Sequence, residues 1–89
     1  MTLGQNFPVS DYYQDQIIDA ETISRAGGWW TAVLLIADPR TKKPFVSIYR
    51  WQQTEKGWKI RKQFSFRAKG QGKKAIEVVA RFLEKIEDH

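Results

Sequence analysis

At 89 residues the chain has room for one domain, and a domain this short buries only about 60–65% of its unfolded surface. With 42% hydrophobic and 28% charged residues it is globular rather than disordered, and the absence of cysteine excludes disulfides and thiolate metal sites. The net charge of +5 favours a polyanionic partner but conceals a dipole: residues 40–74 hold 12 Lys/Arg against Glu55 alone, while the rest carries 3 basic and 9 acidic side chains.

Met1 to Ser10 contains Gly4 and Pro8 without periodicity and reads as a loose arm, so residues 1–15 are set apart from a single domain over 16–89. Asp11 to Ile18 is ambiguous between a helical turn and a strand. The β-branched Ile17, Ile18, Thr22 and Ile23 favour a strand over Gln16 to Ala26. Gly27-Gly28 then suits a type I′ hairpin turn, which needs positive φ at both central residues. Trp29 to Ala37 is apolar on both alternating faces, as in a central strand, and is too short to cross a bilayer. With no basic-then-apolar leader, the expectation is a soluble cytoplasmic or nucleoid-associated protein.

Asp38-Pro39 opens a hairpin loop, Phe45 to Gln53 is the third strand, and Thr54-Glu55-Lys56-Gly57 turns into a fourth over Trp58 to Arg67. From Gln71 onward the period changes. Ile76, Val79, Phe82, Leu83 and Ile86 recur at three- and four-residue spacing, an amphipathic helix ending near Asp88. The expected fold is α+β: an antiparallel four-stranded β-meander followed by a C-terminal helix packed on one face.

The register of the last hairpin decides which side chains share a surface. If Gly57 takes a left-handed position and Thr54 pairs with Trp58, one face shows Val46, Ile48, Arg50, Ile60, Lys62, Phe64 and Phe66, mainly core. The other then shows Phe45, Tyr49, Trp51 and Gln53 with Lys59, Arg61, Gln63, Ser65 and Arg67. Continued through the other turns, this mixed face gains Trp30, Ala32, Leu34 and Ile36, with Ile23 and Arg25. Ala20, Thr22, Ser24 and Ala26 fall on the core face, where the helix could lie close.

Flat rings beside cations suit a single-stranded nucleic acid, because rings stack on bases and cations meet phosphates. Trp30, Tyr49 and Trp51 are the candidate stacking residues, with Phe45 beside them. Lys59, Arg61, Arg67 and Arg25 are the candidate phosphate contacts, extended by Lys69, Lys73 and Lys74 where the helix opens. The competing assignment for such rings is core or dimer interface. Lysines in a first helical turn oppose the helix dipole, which makes sense if an anion sits there; solvated lysines beside a glycine are the plainer explanation. GQGKK lacks the spacing and the Ser/Thr of a phosphate-binding Walker loop. Catalysis has little support, since the one histidine is the terminal His89 and no nucleophile is paired. Asp15, Asp19 and Glu21 could gather around a metal but read as solvated edge charges, so neither metal nor cofactor is expected.

The element order, YRW (Tyr49 to Trp51), WKIRKQFSFR (Trp58 to Arg67) and the basic helix entry together resemble the single-stranded-DNA-binding domains of the Whirly and positive cofactor four class. The archaeal ThermoDBP-related proteins are nearest in layout. The resemblance covers about Gln16 to Asp88 and implies a single-strand ligand, DNA ahead of RNA, and a homodimer. The lysine-glycine strand of the cofactor family is not matched in place, so it implies no residue roles. KGQGKKAIEVVARFLEKI (Lys69 to Ile86) also resembles the end of a double-stranded-RNA-binding domain, which needs a first helix and a histidine-bearing loop. A third alternative is a protein-interaction module with a basic surface.

Overall fold

The structure is a computed structural model that describes residues 7–86. Four strands, β1 (Ile17–Ala26), β2 (Trp29–Ala37), β3 (Pro44–Thr54) and β4 (Gly57–Phe66), pair in the order β1-β2-β3-β4 and lead into helix α1 (Lys69–Leu83). All pairs are antiparallel. This is the α+β meander with a terminal helix that the sequence suggests. Gly27 and Gly28 take φ of 62° and 80°, the positive values that a tight β1–β2 turn requires. Among the described residues no helix is long and apolar enough to cross a membrane.

The core lies on the face expected to be open. Trp30, Ala32, Leu34 and Ile36 from β2 and Phe45, Ser47, Tyr49 and Trp51 from β3 are all buried, because residues 7–17 fold across them. Val9 and Ile17 join this core, and Phe7 and Tyr13 pack against it. The Phe7 ring stacks on Trp30 at 5.3 Å, and Trp51 Nε1–H donates to the Pro8 carbonyl at 2.9 Å. Gln14 Nε2 donates to the Phe7 and Val9 carbonyls, tying the segment to itself. Residues 11–15 form turns, Tyr13 N–H bonding the Ser10 carbonyl and Gln16 N–H that of Tyr13. The expected loose arm is therefore, from Phe7 on, a lid on the aromatic core; Met1 to Asn6 lie outside the described residues.

The expected core face is half-open in turn. Val33, Leu35, Val46, Ile48 and Phe66 are only partly covered, and Phe64 is 63% exposed. The helix does not lie across them. It touches the sheet only at β4, and none of its residues is buried. Its first turn approaches closely: a Cβ on Gly72 would sit 3.3 Å from Phe66 Cβ, tighter than ordinary packing. Beyond that turn the stripe is left uncovered, with Ile76, Val79, Phe82, Leu83 and Ile86 each at least half exposed. The helix ends at Leu83, and turns follow to Ile86. Asp88, the expected terminus, lies outside the described residues.

Candidate nucleic-acid interface

Three bulges decide where the charged side chains point. Along β3–β4 the pairs Val46–Phe66, Ile48–Phe64 and Arg50–Lys62 follow the expected register. Beyond Arg50 the register shifts by one: Trp51 pairs with Ile60, Gln52 with Lys59 and Thr54 directly with Gly57. Arg61 is the extra residue, a β-bulge that reverses the facing of everything between it and the turn. On β1 similar shifts leave Ile18 and Ile23 unpaired. Thr22 thereby lies on the ring face, where its Oγ1 accepts from Trp30 Nε1–H at 3.0 Å. Ala20 packs there as well, so the small residues of β1 do not form a seat for the helix.

The residues singled out from sequence divide accordingly. Trp30, Tyr49, Trp51 and Phe45 do share one face, but they are 4%, 1%, 0% and 3% exposed, which rules them out as stacking residues in this conformation. They stack on each other instead, Tyr49 on Trp51 at 5.3 Å and 11° and Trp30 against Trp51 at 4.7 Å. Burial and the nearby Tyr13 phenol push the Tyr49 phenol up, so it stays neutral and accepts from Gln63 Nε2–H at 3.0 Å.

Arg25 and Arg67 stay on the ring face as structural cations. The Arg25 guanidinium lies 4.1 Å from the Trp30 ring centroid and 5.3 Å from that of Trp58. Arg67 lies 4.1 Å from the Phe45 centroid and bonds Asp38 Oδ2 at 3.0 Å. Lys59 is carried to the opposite face by the bulge, paired with Gln52, and Arg61 Nε–H donates to Gln52 Oε1 at 2.9 Å.

Lys69, Lys73 and Lys74 stand exposed on the first turns of α1, as expected. The helix has no side-chain N-cap bond and no acid in its first turn. Lys74 has a loose partner in Glu77 at 4.0 Å. Lys59, Arg61, Lys62, Lys69 and Lys73 make no ion pair among the described residues. The basic surface is therefore the outer edge of the sheet and the start of the helix, free of acids from Lys56 to Lys74. The opposite edge is acidic, with Asp19 and Glu21 on the half-open face beside Val33 and Leu35. Among the described residues no group of three or more His, Asp or Glu side chains could hold a metal ion.

Asp38 is the buried charge that shapes the β2–β3 loop. Its Oδ1 accepts from the Arg40 N–H at 2.9 Å and, more weakly, from Thr41 N–H, an Asx turn. The Arg40 bond does most to hold its carboxyl below the ordinary range; burial opposes, and Arg67 and Thr41 add to the lowering. A depressed folded value stabilises the fold fully above the unfolded carboxylate value, and this is lost as pH falls through the folded one. Urea midpoints should therefore decline on acidification below about pH 4, and less steeply in Asp38→Asn; an equal decline in the variant would assign the effect to other carboxyls.

Trp29, Arg50 and Lys62 were not among the sequence candidates. The alternation of β2 and β3 already placed Trp29 and Arg50 opposite the buried rings, but that face read as core. No protein-family model, no curated protein sequence and no solved structure matches this chain.

Proposed function

We propose that this protein is a homodimeric module for binding single-stranded nucleic acid, a binder rather than an enzyme. The observation that carries nucleic-acid binding is the acid-free run of exposed cations along β4 and into α1: Lys59, Arg61, Lys62, Lys69 and Lys73, with Lys74 beside them. Charges on an edge strand also discourage unwanted strand pairing. That role needs one or two lysines and does not explain why the run continues onto a helix N-terminus, where cations oppose the dipole. A phosphate chain along the edge accounts for both segments. The buried rings give this reading no support. Neither does the structure favour duplex RNA, since turns rather than a helix precede β1 in the described residues.

The dimer rests on two apolar surfaces in one chain that meet only at Ile76 and leave each other largely uncovered. The open sheet face and the start of α1 enclose a groove of about 640 Å³, lined by Val33, Leu35, Val46, Ile48, Phe66 and Ile76. The exposed remainder of the α1 stripe, from Val79 to Ile86, is a second such surface. A two-fold axis lets each copy's stripe cover the other's sheet, satisfying both at once. Asp19 and Glu21 border the β1 side of the sheet face, opposite in sign to Lys73, Lys74, Arg81 and Lys85 of a helix that also carries Glu77 and Glu84. A nucleic-acid ligand fits a cytoplasmic or nucleoid location.

Fluorescence anisotropy with labelled oligo-dT, oligo-U, duplex DNA and duplex RNA tests the ligand class. The single strands should bind at least tenfold more tightly than the duplexes. Equal or stronger duplex binding would overturn the single-strand assignment.

A further inference from the structure

The bulge at Arg61 assembles a patch that the sequence does not reveal. Trp29, Gln52 and Lys59 are joined by direct pairing into one row across β2, β3 and β4, and Thr31, Arg50 and Lys62 form the next. Partners paired directly share a face, and this is the face turned away from the buried rings. The adjoining β1 residues are Ala26, paired with Trp29, and Ser24, paired with Thr31, both small. Neither row contains an acid. Arg50 and Lys62 nevertheless stand opposite each other, an arrangement that costs stability unless an anion sits between them. Trp29 is half-buried, in contrast to Trp30 and Trp51, and the Arg50 guanidinium lies 4.3 Å from its ring centroid.

We propose that this patch is the stacking subsite for a single-stranded nucleotide: one base lies against Trp29, and Arg50, Lys59 and Lys62 hold the flanking phosphates. The inference rests on the nucleic-acid reading above and adds to it the one place where a base is gripped. Three features separate the patch from an ordinary polar stretch of sheet. It has a single accessible indole, three cations without ion pairs among the described residues, and a bulge of the kind that re-aims side chains. The Arg50 guanidinium over Trp29 shows that this ring face is open to a flat partner, and a base would take its place there.

The test compares oligo-dT with an abasic strand of equal length, on the wild-type chain and on Trp29→Ala. Stacking of one base is expected to make oligo-dT bind about 5- to 150-fold more tightly than the abasic strand in the wild type. Trp29→Ala should bind both strands alike, with its dependence on salt unchanged. If Trp29→Ala fails to fold, Trp29→Leu, which keeps bulk at the position and removes the flat ring, takes its place in the comparison. Wild-type binding that ignores the missing bases, or a folded Trp29→Ala variant that still prefers oligo-dT, overturns the subsite and leaves the phosphate reading standing. Failure of the wild type to bind either strand removes both.

Discussion

Trp51→Ala should unfold the domain or bring it to the edge of unfolding. The indole is fully buried, stacks on Tyr49, packs at a tilt against Trp30, touches Phe7 and holds the Pro8 carbonyl through its N–H. Removing a buried tryptophan costs about 3–5 kcal/mol, most of what a domain of this size has in hand. Trp51→Phe keeps much of the packing but leaves that carbonyl without its donor, a loss of about 1–3 kcal/mol. Urea denaturation followed by circular dichroism measures both. The outcome separates two roles for the same ring. A stacking residue on an open face could be truncated with little loss of stability and a large loss of binding. A stable, folded Trp51→Ala protein would therefore mean that residues 7–17 are not the cover of this face.

The second large effect concerns the helix. Val79→Asp combined with Phe82→Asp should convert a dimer into a folded monomer. Both residues are at least half exposed within their own chain, so the substitutions remove little packing there. In a two-fold dimer each anchor of roughly 2 kcal/mol occurs twice, so together the substitutions weaken association about a millionfold. Sedimentation velocity reads the change in mass, and thermal unfolding at low concentration checks that the monomer fold survives. A wild-type chain that stays monomeric at high concentration would contradict the dimer, and the exposed stripe would then await a different partner.

The meander was legible because each turn carries its own chemistry. Gly27-Gly28, Asp38-Pro39 and the Thr54–Gly57 segment mark the three hairpins, and β1, β2, β3 and β4 begin and end within a residue or so of expectation. The alternation in β2 and β3 also grouped Trp30, Leu34, Phe45, Tyr49 and Trp51 correctly. What it could not say was which face would be covered. Both faces of β2 are apolar, and the segment that covers one of them has no period to betray it. Phe7, Pro8, Val9 and Tyr13 reach the core through an irregular path, fixed by a long-range bond between Trp51 and Pro8.

The bulges were hidden for a similar reason. An extra residue at Ile18, Ile23 or Arg61 leaves no local mark in composition, yet each reverses the facing of its neighbours. That single-residue shift removed Lys59 from the aromatic core and set it in a row with Trp29. The amphipathic helix was visible from its spacing. Its failure to close on its own sheet was not, because periodicity shows that a stripe exists and not what it packs against.

The most direct test of the nucleic-acid reading is a titration of the wild-type chain with labelled oligo-dT across a series of salt concentrations. With five or six phosphates neutralised by the β4 and α1 cations, the affinity should fall by about 3.5–4.2 log units per log unit of salt. Lys59→Glu with Lys62→Glu should flatten that slope while the fold persists. Absence of binding at low salt, or an affinity that does not respond to salt, would contradict the proposal.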